Sequence, residues 1–192
     1  VAAAGYSFCS ASLKAVERGE AALEQYPAVD LILGKQRTTT IGRGVQEPAF
    51  ATFSPELQAV LRHYLADGGT LFASGSYVAS DLLAEGASDR DRTFAREVLH
   101  LDSDGGYASG RGRVRVMTSH PDFSRGEYRF NTGYGRHHYI VEQADALKPV
   151  GAGAFAVMRY DDNGVRRRGA YFRDGFPVRV DFRRGAARPA DA

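Results

Sequence analysis

Three short polar phrases in this chain have residue types suited to chemistry, and two of them sit where apolar runs end. The first is Ser74-Gly75-Ser76-Tyr77, between an apolar run and a helical pattern. A serine on such a turn can act as a nucleophile if a histidine takes its proton, and the imidazoles available for that are His100, His120, His137 and His138. In the phrase GYGRHHYIVE, strand alternation would send the rings of His137 and His138 to opposite faces, so at most one of them can join a shared site. The catalytic candidates are therefore Ser74, Ser76, Tyr77 and His138, although no carboxylate is spaced recognisably to orient any of the four histidines. His63, beside Arg62 on a helical stretch, reads as a solvent-face residue.

The second phrase is Gly34-Lys35-Gln36, at the end of another apolar run. Lys35 and Gln36 offer hydrogen-bond donors, Tyr77 an aromatic face with a hydroxyl, and the serines short hydroxyls, a set suited to sugar or carboxylate recognition. If the two runs are parallel neighbours, Gly34, Lys35, Gln36, Gly75, Ser76 and Tyr77 open onto one crevice, since open α/β sheets hold ligands at the carboxyl ends of their strands. The competing reading is that these residues only solvate a sheet edge. The third phrase, Asp102-Ser103-Asp104-Gly105-Gly106, has the alternating carboxylates and glycine of a calcium loop. It lacks the distal bidentate glutamate, so it reads as a plain turn. No HExxH or CxxC spacing occurs, and neither a metal nor a cofactor is expected.

The elements that must position these residues are legible. Ser54 supplies an N-cap oxygen, Pro55 fits the first helical position, and Leu57, Val60, Leu61, Tyr64 and Leu65 recur at helical spacing. Gly68 and Gly69 stop that helix, TLFAS follows as a buried-type strand, and Gly75-Ser76 turns the chain into a second helix, YVASDLLAE. AVDLILG is the other clear strand, and the polar loop KQRTTTIGRGVQEPAFAT follows it at the ligand-binding edge. A short helix ending at Gly19 is expected before AVDLILG, and a helix with Phe94, Val98 and Leu101 on one side after the central unit. From Asp102 onward the texture is β-rich: GRVRVMT, EYRF, AFAVMRY and GVRRRGAYF, the last two flanking the turn Asp161-Asp162-Asn163-Gly164. Arg113 and Arg115 alternating with Val114 and Val116 describe a strand with one wet face in preference to an anion site.

With 192 residues, 43% of them hydrophobic and 25% charged, the chain can bury a core as a single domain over residues 1–182, with a disordered tail at 183–192. A net charge of +2 is too small to argue for nucleic acid or an anionic membrane surface. Cys9 is the only cysteine, which rules out an intrachain disulfide. No run is apolar and long enough to span a bilayer. A start at Val1 is expected of a processed protein or an excised piece.

The phrases YPAVDLILGKQ, FSPELQAVLRHYLADGGTLFASGSYVASDL and ALKPVGAGAFAVMRYDDNG together resemble the glutamine-amidotransferase-like domain of secreted bacterial proteins described as xanthan lyases or golvesin-domain proteins. The resemblance runs from about Gly5 to about Tyr171. It implies an α/β fold of the flavodoxin-like kind, a mainly parallel sheet flanked by helices, here with a β-rich C-terminal half. It further implies a secreted, periplasmic or cell-surface location and, as partners, polysaccharide or the neighbouring domains of a larger protein. A first strand ahead of the Gly5 region is also implied, and the charged RRRGAYFRD before Gly175-Phe176-Pro177 departs from the apolar strand usual there. Active class I members carry Gly-x-Cys-x-Gly at the turn after the central strand, where a strained elbow exposes the thiol to backbone N–H groups that stabilise an oxyanion. The matching residues here are Gly75-Ser76-Tyr77-Val78-Ala79, with a phenol at the thiol position. The resemblance therefore implies a noncatalytic accessory or interaction domain with a degenerate crevice. The alternative is a serine-dependent hydrolase acting at the same strand ends.

Overall fold

The computed structural model describes residues 2–40, 48–107, 111–117, 125–133, 140–141, 144–162 and 165–173. It is a mixed α/β structure with four α-helices, α1 (Leu13–Glu17), α2 (Pro55–Ala66), α3 (Val78–Leu82) and α4 (Asp89–Thr93), among the described residues. Ten strands accompany them: β1 (Ala28–Gly34), β2 (Thr39–Thr40), β3 (Pro48–Phe50), β4 (Thr70–Gly75), β5 (Leu101–Tyr107), β6 (Arg113–Val116), β7 (Glu127–Arg129), β8 (Asp145–Pro149), β9 (Ala154–Asp162) and β10 (Val165–Arg173). The sheets are small. β1 pairs with β4 in parallel, while β2–β3, β5–β8 and the four-stranded set β10-β9-β6-β7 are antiparallel. Parallel pairing, expected to dominate, is thus confined to β1–β4 among the described residues.

The unit β1, α2, β4, α3 forms as its residues dictate. Ser54 Oγ accepts the Leu57 N–H at 3.1 Å, which satisfies a donor that the first helical turn would otherwise orphan. At the other end Gly68 takes φ 88°, and the Gly69 N–H closes on the Tyr64 carbonyl at 2.9 Å. Gly69 is needed for a second reason, because a Cβ there would run into the Tyr64 ring. The Tyr64 hydroxyl in turn accepts from the Thr70 N–H at 3.1 Å, so the helix end and the start of β4 are fixed together. Leu31, Leu33 and Leu71 face Leu57, Leu61, Tyr64, Val78, Leu82 and Phe94 in one buried cluster. A smaller cluster, Ala144, Ala146 and Tyr160 with Val114 and Phe130, serves the β-rich half.

The opposite face of the parallel pair is open. Ile32 is 73% exposed and Phe72 50% exposed, whereas a doubly wound sheet covers both faces. Three expectations are revised. The loop after β1 contains the short strands β2 and β3. The helix through Phe94 divides into α4 and a π-helical turn at Phe94–Val98. Asp102 to Gly106 lies in β5 and not in a turn, paired with β8 through Leu101↔Pro149, Asp102↔Lys148 and Ser103↔Leu147. The expected turn at Asn163-Gly164 and the tail at 183–192 lie outside the described residues.

Candidate functional site

The two strand ends meet. Gly34 stands opposite Gly75 in the parallel register, and the Ser76 N–H donates to the Gly34 carbonyl at 2.8 Å. Gly34 adopts φ 58°, a conformation that turns β1 sharply into Lys35. Gly75 must also lack a side chain, since a Cβ there would sit 2.9 Å from the Leu33 Cβ. Beyond the strand ends, Lys35, Gln36, Arg37 and Thr39 line an open depression of about 310 Å³.

The side chains offered by the sequence are placed less uniformly. Gln36 is a brace: its side-chain amide donates to the Ala51 carbonyl, and its backbone carbonyl accepts the Thr52 hydroxyl at 3.0 Å. The Tyr77 ring is only 8% exposed, and the Arg37 guanidinium lies over it at 5.1 Å from the centroid. This corrects the expectation of an aromatic stacking face, because the surface shown to a ligand there is the guanidinium and not the phenol. Ser76 is buried and Ser74 half-buried. His63 is exposed and pairs with Asp67 at 3.4 Å. His100 precedes β5 and packs toward Gly151, beyond the Pro149 end of the β5–β8 ladder. Asp145, at the other end of β8, is four residues from Pro149, about 13 Å along a strand, so His100 belongs to the far end of that ladder. His120, His137 and His138 lie outside the described residues.

Two acidic residues that sequence reasoning passed over organise the crevice. Asp81 accepts the Thr38 N–H at 2.9 Å, the Thr38 hydroxyl at 3.0 Å and the Thr52 N–H at 2.8 Å, pinning the segments after β1 and before α2 to α3. Asp145, the first residue of β8, caps α3. Its Oδ2 accepts the Ala79 N–H at 2.7 Å and the Ser80 N–H at 2.9 Å, while its own N–H donates to the Ser76 carbonyl at 3.1 Å. The local N-cap residue, Tyr77, makes no side-chain capping bond, so α3 takes its cap from a residue far along the chain. Burial pushes the Asp145 carboxyl above the usual range, opposed by the hydrogen bonds from Ser80 and Ala79 and reinforced by the Asp81 charge. Burial, with the Asp145 charge adding, pushes the neighbouring Tyr160 phenol up to about 12.

Chemically, this turn differs from an acyl-transfer elbow in two respects. The residue at the nucleophile position is a buried phenol under a guanidinium, and two N–H groups of the first turn of α3 are directed at a carboxylate. An anionic acceptor at that place would repel a developing oxyanion instead of stabilising it. Among the described residues no group of three or more His, Cys, Asp or Glu is arranged to hold a metal ion, and no helix is long and apolar enough to cross a membrane. Comparison with protein-family models, with curated proteins and with solved structures returns no match.

Proposed function

We propose that this chain is a noncatalytic accessory or interaction domain of a secreted carbohydrate-active protein of the xanthan-lyase-associated kind its sequence resembles. In this reading it is a flavodoxin-like frame whose amidotransferase-type crevice binds without turning over. The observation that carries the reading is the buried Tyr77 phenol, covered by the Arg37 guanidinium, at the position where an amidotransferase elbow exposes its thiol. The parallel β1–β4 pair with α2 and α3 supports the frame, and the resemblance alone supports the extracytoplasmic location.

The ligand surface in this reading is the depression at Lys35, Gln36, Arg37 and Thr39, with cationic and hydroxyl groups suited to a sugar bearing carboxylate or acyl oxygens. Titration of the ¹⁵N-labelled chain with xanthan-derived oligosaccharides tests it. Amide shifts confined to Lys35–Thr39 and its neighbours, abolished in Arg37→Ala, with the oligosaccharide recovered intact, are expected. Shortened sugar products, or shifts indifferent to Arg37, would refute it.

A further inference from the structure

The open face of the β1–β4 pair is a second surface, separate from the crevice and independent of the reading given for it. Strand alternation puts Ala28, Asp30 and Ile32 of β1 on this face with Phe72 and Ser74 of β4, Asp30 standing opposite Phe72 and Ile32 opposite Ser74. Their chain neighbours Leu31, Leu33 and Leu71 point the other way, into the main core. Ala28, Asp30, Ile32 and Phe72 are all exposed. Two large apolar side chains, Ile32 and Phe72, thus stand in water on diagonal positions of a parallel pair, a kind of sheet that is ordinarily covered on both faces.

The dimensions of this strip decide between occupants. The seven residues of β1 at about 3.3 Å each make it about 23 Å long, and two strands about 4.8 Å apart make it about 10 Å wide, roughly 230 Å² in all. A second copy of the chain seated here would fall well short of the roughly 800 Å² per partner that a stable dimer buries. A strand added at either edge would lie in the plane of the sheet and leave Ile32 and Phe72 uncovered. One α-helix fits, since its diameter is about 10 Å and about 15 residues at 1.5 Å each run the length of the strip.

Asp30 sets the charge of that helix. It lies between Ala28 and Ile32 in the row and opposite Phe72, and it makes no hydrogen bond or ion pair among the described residues. Under a wholly apolar cover its carboxylate would lose water and gain no partner, which offsets what the apolar contacts contribute. A lysine or arginine arriving with the apolar stripe removes that cost, because its stem lies along the apolar surface while its head reaches the carboxylate. We propose that this face docks an amphipathic helix of a partner protein, its apolar stripe against Ile32 and Phe72 and a basic residue on Asp30. Anchors three and four residues apart on such a helix would meet the two apolar side chains, and the basic residue fixes its register.

The test is fluorescence anisotropy of the full chain with labelled model helices of about 15 residues, the length of the strip. One helix carries leucine on one face and lysine on the other, a second replaces lysine by glutamate, and a third has the lysine helix's composition in an order that segregates no face. The lysine helix should bind, and the other two should bind about tenfold more weakly or worse. Ile32→Ser/Phe72→Ser should lose the lysine helix by about tenfold or more, with an unchanged circular dichroism spectrum and melting temperature because both side chains are exposed. Met117→Ser, which removes an exposed apolar side chain from the β-rich half, should bind as the wild type does. Asp30→Lys should reverse the preference, so that the glutamate helix binds more tightly than the lysine helix, a gain that damage to the fold would not produce. Failure of the lysine helix to bind, no reversal in Asp30→Lys, or equal losses in Met117→Ser and the double serine variant would overturn the proposal. So would a wild type that sediments as a dimer and disperses in Ile32→Ser/Phe72→Ser, which would make a second copy the occupant. None of these outcomes touches Arg37, so they are separate from the fate of the crevice.

Discussion

Replacing Asp145 probes the joint between the α/β unit and the β-rich half. The carboxylate is buried and accepts two N–H groups on one oxygen, at 2.7 and 2.9 Å. Asp145→Ala removes the acceptor and leaves the Ala79 N–H, on a buried residue, with no substitute, while the exposed Ser80 can turn to water. An orphaned buried donor costs about 1–3 kcal/mol and a lost hydrogen bond to a charged group a similar amount, so a loss of about 2–4 kcal/mol is expected. Asp145→Asn should behave differently. Both bonds converge on Oδ2, and a single amide carbonyl has two lone pairs, so the neutral residue can accept both.

The pH dependence follows from the direction of the Asp145 shift. Burial raises the folded value above the unfolded 3.8, so protonation favours the folded state. The stabilisation is complete below 3.8 and is lost as pH rises through the folded value. At neutral pH, Asp145→Asn should therefore lie within about 1 kcal/mol of the wild type, and on acidification the wild type should gain on it. Urea unfolding followed by circular dichroism gives the midpoints, with a constant slope as the check on a common unfolded state. Amide hydrogen exchange at Ala79 and Ser80 localises the effect. An Asp145→Ala variant as stable as wild type, or an Asn variant as damaged as the Ala variant, would refute the reasoning.

Three further substitutions test other parts of the account. Tyr64→Phe removes a buried hydroxyl that bonds the Tyr26 and Thr70 carbonyls and the Thr70 N–H, but that N–H keeps the Pro27 carbonyl at 3.2 Å, so a cost of about 1 kcal/mol by urea unfolding is expected. Asp81→Ala removes the acceptor of the Thr38 N–H and hydroxyl and orphans the buried Thr52 N–H, so a loss of about 1–3 kcal/mol by urea unfolding is expected, together with limited proteolysis within residues 35–52 at least several-fold faster. Arg37→Ala uncovers the Tyr77 ring, so nitration of Tyr77 by tetranitromethane, read by peptide mass spectrometry, should rise clearly above the wild-type level.

The elements that the sequence made legible are those whose signals are local. Ser54, Pro55 and Gly68 bound α2, the apolar periodicity between them selects its buried face, and AVDLILG and TLFASG read as strands from their own composition. Their convergence followed once the pair was taken as parallel. What stayed hidden depends on distant partners. Asp145 lies 66 residues from Ala79, and nothing in its own neighbourhood marks it as the cap of α3. Asp81 similarly reaches 43 residues back to Thr38. The DSDGG phrase has turn chemistry, yet pairing with β8 outweighs it, an instance of tertiary context overriding local propensity. Alternation of Arg113 with Val114 told of a wet face, but only the cross-strand register reveals that Arg129 and Arg159 share it.

Hydrolysis of L-glutamine and of a p-nitrophenyl acyl ester, measured for the wild type alongside Ser76→Ala and Asp145→Asn, tests most directly whether the crevice is inert. Indistinguishable background rates for all three are expected on the noncatalytic reading proposed above, because a buried phenol under Arg37 stands at the nucleophile position and Ser76 is itself buried. Release of ammonia or nitrophenolate by the wild type that disappears in Ser76→Ala would contradict the account and establish the serine as a nucleophile.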